Sequence, residues 1–146
     1  MKVCSACLLG IKCRYNGTDA LNKKVLELGK NEILIPICPE ILGGMKTPRE
    51  SAELVNGSGY DVLDGKAKII EKNGRDVTRI YLKGASEGLK IAKGLKIKEA
   101  IVFTERGSPS CGCGKIYVSG KEIEDDGVFT ALLKKNGIKV IREKDF

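Results

Sequence analysis

Ile33-Leu34-Ile35-Pro36-Ile37-Cys38 is an unbroken apolar run, too short for a helix and rich in β-branched side chains. It reads as a strand buried on both faces, as in a parallel sheet rather than a half-solvated antiparallel one. Pro36 cannot donate to a ladder, so pairing is expected to end near it. Cys38-Pro39-Glu40 follows at the strand's carboxyl end, before Gly43-Gly44 and Thr47-Pro48-Arg49-Glu50. A thiol and a carboxylate therefore share one loop.

The same pattern recurs on either side. Residues 2–6 read as a first strand with Cys4 inside it and Cys7 at its end. Ile11-Lys12-Cys13-Arg14-Tyr15-Asn16-Gly17 continues as a loop with Asn-Gly turn chemistry, and a short helix is expected from Asn22 to Lys30. Beyond Tyr60 the pattern changes to period two, with Val62-Leu63 and Ala67, Ile69 and Ile70 flanking Asp64-Gly65, which predicts a β-hairpin inserted beside the main sheet. Asp76 is placed to cap the longest helix, in which Val77, Ile80, Tyr81, Gly84, Gly88, Ile91, Ala92 and Leu95 recur at three- and four-residue steps. Gly84, Ala85 and Gly88 make a small stripe on it, expected to pack on a sheet. Ala100-Ile101-Val102-Phe103 is a third strand, and Ile116-Tyr117-Val118 pairs briefly. Asp125 or Asp126 caps a last helix that Gly137 stops, before a final strand at Ile138–Ile141. This order predicts an α/β fold: a single domain over residues 1–146 with a mostly parallel, Rossmann-like sheet and the inserted hairpin.

A chain of 146 residues with 42% apolar and 31% charged content suits one globular domain, and it contains no apolar run long enough to span a membrane. No signal-peptide pattern opens it, so a cytoplasmic protein is expected. There the six cysteines stay reduced and serve as metal ligands, catalytic thiols or buried small hydrophobes. The net charge of +7 admits anionic partners, but the lysines are spread along helices and aromatics make up 5%, so no stacking platform for bases is evident.

In parallel sheets ligands bind beyond the carboxyl ends of the strands. Cys7, Cys38 and Cys111 each follow a different predicted strand, so the three thiols can meet at one edge. Cys111 lies in Ser108-Pro109-Ser110-Cys111-Gly112-Cys113-Gly114, a loop of small and hydroxylated residues. The chain has no histidine, which removes every histidine-containing zinc pattern and the usual general base near neutral pH. A thiol-only set suits soft metals. Zinc would take Cys13 or Cys113 as a fourth ligand, whereas an iron–sulfur cluster accepts three cysteines and leaves one iron open. Spacing leaves both readings standing.

Cys7-Leu8-Leu9-Gly10 with Cys13-Arg14-Tyr15-Asn16-Gly17, then Cys38-Pro39-Glu40 with Gly43-Gly44 and Pro48-Arg49, then Ser108-Pro109-Ser110-Cys111-Gly112 closely resemble the TudS thiouracil desulfidase family. The resemblance extends to Ala131-Leu132-Leu133 and Asn136-Gly137-Ile138. It implies a [4Fe-4S] cluster held by Cys7, Cys38 and Cys111, whose fourth iron binds the sulfur of a thiolated pyrimidine. The family's substrates are thiouracils, 4-thiouridine monophosphate and, in relatives with an added domain, 4-thiouridine in tRNA. With no added domain in these residues, a free base or its monophosphate is expected, acted on by a monomer or homodimer. Glu40, two residues from a ligand, is expected to activate water at a pKa raised by partial burial. Ser108 and Ser110 are expected to hydrogen-bond substrate or cluster sulfides. Collapse of the tetrahedral adduct would leave sulfide on the open iron, a [4Fe-5S] state, without net electron transfer.

Arg14, Asn16 and Arg49 are the candidates for binding substrate, the two arginines through a phosphate. The chain departs from the family pattern at Asn16, where Asp is common, and at Tyr117-Val118-Ser119, where the family has Tyr-Asp-Gly; either departure would alter the preferred ligand. Two other classes remain from sequence: a cluster-based sulfide donor to a tRNA-modifying partner, and a zinc-stabilised RNA-binding module.

Overall fold

The computed structural model describes residues 1–146. It contains two four-stranded sheets. In the first, β1 (Lys2–Ser5), β2 (Leu34–Ile37), β5 (Glu99–Val102) and β8 (Lys139–Arg142) are all parallel and lie in the order β2-β1-β5-β8. The order reverses direction at β1, between β2 and β5. This is the switch point beyond which such sheets open a crevice.

Side-chain alternation divides the packing between two faces. Val3, Ala100 and Val102 join a core with α4 (Thr78–Gly94) and α5 (Val128–Lys135), while Cys4, Ile101 and Phe103 join a second one with Val25 of α1 (Lys23–Leu28). Asn22 caps α1 by accepting from the backbone of Lys24 and Val25. β2, expected to be buried on both faces, is an edge strand with Ile37 buried and Pro36 exposed. Its missing N–H therefore costs no ladder bond.

The second sheet has the order β4-β3-β6-β7, from β3 (Ala52–Val55), β4 (Lys68–Glu71), β6 (Ile116–Val118) and β7 (Lys121–Ile123). The hairpin expected at 62–70 is replaced by a different element. Residues Gly59–Leu63 form a short helix, α3, and β4 pairs antiparallel with β3 instead. Ser58 and Asp61 make a reciprocal capping box that outweighs the hairpin signal of Asp64-Gly65, which becomes the turn leaving α3.

Asp76 does support the start of α4, accepting from the backbone and hydroxyl of Thr78. At α5, however, neither Asp125 nor Asp126 caps. The N–H groups of Gly127, Val128 and Phe129 donate to the carbonyls of Gly112, Pro109 and Ser110, so the cysteine loop itself satisfies the helix start. Asp126 instead accepts from Gly114 N–H, the Tyr60 hydroxyl and Lys134.

The small stripe on α4 packs on a helix as well as on the sheet. Gly84 and Gly43 let α4 approach α2 (Pro39–Leu42) backbone to backbone, and a Cβ built on Gly84 would overlap the Pro39 carbonyl. Gly88 faces the Phe129 ring and Ile37. Gly84→Ala is therefore expected to displace α2, which carries Glu40, and to destabilise the protein by about 1–3 kcal/mol as overpacking does. A thermal melt of the variant unchanged from wild type would contradict this. No helix is long and apolar enough to cross a membrane.

Candidate metal centre and active site

Beyond the ends of β1, β2 and β5 lies a cavity of about 730 Å³. Cys7 reaches it from the 3-10 turn Ala6–Leu9, Cys38 from the residue capping α2, and Cys111 from the loop pinned to α5. Cys13 lines it too. Cys4 and Cys113 do not: Cys4 points into the second core, where burial pushes its thiol up to about 12, and Cys113 packs in the main core beside Lys134 and Asp126.

The cavity thiols are coupled. Cys13 lies within hydrogen-bond reach of both Cys38 and Cys7; Cys38 draws it down, Cys7 and burial push it up, and the balance leaves it at about 11. The Cys38 thiol is pushed up by that hydrogen bond and by burial, and Cys111 by burial and then the neighbouring Cys38. Ser5 Oγ and Ser110 Oγ approach Cys111 Sγ at 3.8 and 3.9 Å. A metal bound here must displace protons. No three thiol or carboxylate groups close on one point as a single ion requires. An all-thiol set spread around a cavity has the chemistry of a polynuclear iron–sulfur site, whose ligand sulfurs stand apart around the cluster.

Glu40 faces the same cavity. Its Oε1 accepts from Arg49 Nε at 3.0 Å and from the Tyr81 hydroxyl at 2.8 Å, with Arg49 Nη2 also at 3.0 Å. Oε2 accepts only from Ser110 Oγ, at 2.9 Å. Ser108 Oγ accepts from the N–H groups of Ser110 and Cys111, so its own proton is directed to Ser110 Oγ, 3.1 Å away. The three groups form a chain from Ser108 through Ser110 to Glu40 Oε2.

A family model described as 2-thiouracil desulfurase matches residues 3–145. The chain belongs to the 2-thiouracil desulfurase family. The Bacillus subtilis (strain 168) protein YbbK, itself uncharacterized, is 47% identical over 148 residues, covering 99% of this chain and 97% of its own. A solved structure described as a [4Fe-4S]-dependent thiouracil desulfidase, TudS, matches with a TM-score of 0.83 and 33% identity, over 99% of this chain and 91% of the other.

In this 2-thiouracil desulfurase fold, two expected substrate contacts take other roles. Asn16 does not line the cavity; its side-chain oxygen accepts from the N–H and hydroxyl of Thr18, closing a turn. The Arg49 side chain is 3% exposed, and all its guanidinium nitrogens are engaged, with Glu40, Lys46 O, Thr47 Oγ1 and Cys13 O. No donor remains for a phosphate. Arg49 instead ties the carboxylate to the loop carrying Cys13. Arg14 lines the cavity with its guanidinium 5.2 Å from the Phe103 ring centroid.

The sequence reading missed Tyr81, which it placed among the inward residues of the long helix. It is buried there, but its hydroxyl serves Glu40, and burial and the Glu40 charge hold it protonated. A buried tyrosine needs a hydroxyl partner, and that was the available signal. Ser5, which bonds both Phe103 N–H and Cys111, gave none.

Proposed function

We propose that this chain is an iron–sulfur-dependent desulfidase, converting the C=S of a thiolated pyrimidine and water into C=O and hydrogen sulfide without net electron transfer. One juxtaposition carries the reading: the thiols of Cys7, Cys38 and Cys111 share a cavity with Glu40 Oε2, a carboxylate oxygen with an accepting position to spare. A [4Fe-4S] cluster held by these cysteines supplies a thiophilic Lewis acid that makes the ring carbon electrophilic. Glu40 Oε2 takes the proton of the attacking water while Arg49 and Tyr81 fix Oε1. Ser110, accepting a hydrogen bond from Ser108 and donating one to Glu40, keeps the carboxylate aimed and has a lone pair left for water or substrate. The reducing cytoplasm suits an open thiol site of this kind.

The phosphate role expected of Arg49 passes outward. Arg106 lines the cavity with no hydrogen bond or ion pair, and Arg14 contributes one bond, to Thr18 Oγ1. Both suit a monophosphate at the mouth, with a free thiolated base as the smaller substrate.

The test is anaerobic purification with iron analysis, followed by sulfide release from thiouracil and from 4-thiouridine monophosphate. Sulfide release by iron-loaded protein is expected. Iron-free protein carrying stoichiometric zinc would overturn the reading, and a loaded protein that binds sulfide but releases none from either compound would make it a sulfide donor. Arg106→Ala is expected to raise KM for the monophosphate about five- to tenfold while leaving thiouracil unchanged, the loss of one partly exposed charged contact.

A further inference from the structure

Three carboxylates are buried in this chain besides the half-buried Glu40, and two of them accept hydrogen bonds from neighbouring donors. Glu143 accepts from the N–H and hydroxyl of Thr104, and Asp126 from Gly114 N–H, the Tyr60 hydroxyl and Lys134. Glu71 has no hydrogen bond to its side chain. Its one ion-pair partner, Arg75, stands 3.7 Å away, beyond N–H to oxygen bonding range, with a side chain 60% exposed, so that pairing contributes little.

Glu71 is nonetheless only 5% exposed and lines the cavity. It ends β4, where alternation puts Ile69 and Glu71 on the buried side and Lys68 on the open one. Ile69 fills the core; a charged residue in the same row, without a donor, costs stability. No buried side-chain polar atom in the chain lacks a partner, so the Glu71 oxygens keep some exposure, and the residue lines the cavity. Glu40, Glu71 and Tyr81 all line this cavity, and burial and then the two carboxylate charges push the Tyr81 phenol up.

We infer that Glu71 orients the substrate by accepting a hydrogen bond from a ring N–H of the thiolated pyrimidine. The inference rests on the proposed desulfidase reading. In these rings a thiocarbonyl is flanked by an N–H donor, so a carboxylate that holds the N–H fixes where the sulfur points. A negative group beside the ring also disfavours its anion. Glu71 therefore selects the neutral thiocarbonyl form, the one open to attack by water. Glu40 cannot serve both roles, since its Oε1 is consumed by Arg49 and Tyr81 and its Oε2 faces Ser110.

The experiment compares wild type, Glu71→Gln and Glu71→Leu, each cluster-loaded anaerobically, on 2-thiouracil and on its 1-methyl and 3-methyl derivatives. Wild type is expected to turn over 2-thiouracil and to show a KM at least about tenfold higher for one N-methyl derivative. Glu71→Leu should keep its iron content, lower kcat/KM for 2-thiouracil about ten- to a hundredfold with most of the loss in KM, and lose the discrimination between parent and methylated ring. Glu71→Gln, which keeps an accepting oxygen, should recover part of it. An unchanged KM in Glu71→Leu, or discrimination that persists in it, would overturn the inference and assign Glu71 to Arg75 alone. Should Glu71→Leu fail to fold, wild type accepting both methylated rings as well as the parent overturns it equally. Loaded wild type inactive on every compound would instead remove the desulfidase reading itself.

Discussion

Cys111→Ser is expected to fold but to retain less than about one iron per chain after anaerobic loading, against about four for wild type. Sulfide release should fall by about three orders of magnitude, because several kcal/mol of Lewis-acid stabilisation disappear with the metal. The reason is local. Cys111 is buried where the Ser108–Gly112 loop is fastened by the first N–H groups of α5 and by Thr130 Oγ1 donating to its own carbonyl, so no other group can swing into its place. A hydroxyl is a poor ligand for iron in such a cluster. Cys113→Ser, two residues on but outside the cavity, should keep full iron. Equal iron in the two variants would take Cys111 out of the ligand set and throw the cluster assignment open.

Glu40→Gln separates the base from the metal site. The amide keeps the size of the side chain and reaches the same neighbours, so iron content should be unchanged, while kcat falls about 10²- to 10⁴-fold with the loss of a positioned proton acceptor. KM should move little, since Oε2 acts on water rather than on the ring. Stability should drop as well: Arg49 is left almost wholly buried without its counter-charge, which costs about 3–5 kcal/mol in comparable sites. Single-turnover sulfide release and a thermal melt read the two effects separately. Full turnover in this variant would transfer the base role elsewhere, with Ser110 and Ser5 as the remaining hydroxyls that touch Cys111 and line the cavity.

The meeting of Cys7, Cys38 and Cys111 at one cavity was legible because it follows from topology. Apolar runs at residues 2–6, 33–38 and 100–103 each precede a thiol-bearing loop, and a parallel sheet brings their carboxyl ends to one edge whatever the details of packing. The region from Tyr60 to Ile70 was misread because a short-range signal, Asp64-Gly65, was weighed without the Ser58–Asp61 cap that starts α3. The same limit applied to Asp125 and Asp126, since the groups that satisfy α5 are the carbonyls of Pro109, Ser110 and Gly112, far earlier in the chain. Backbone acceptors carry no residue signature.

From sequence alone came the α/β order, the thiol-only donor set, the absence of any imidazole, and the nearness of Glu40 to Cys38, all fixed by residue type and strand position. Tertiary structure decided which charged groups are free to act. Arg49 looks available beside Arg14 in the sequence, yet burial commits every one of its nitrogens, while Arg106 and Glu71, unremarkable in the chain, stand in the cavity without hydrogen-bond partners. Whether a donor or acceptor remains for a ligand depends on which neighbours consume it, and those neighbours are brought together only by the packing of α2, α4 and the two sheets.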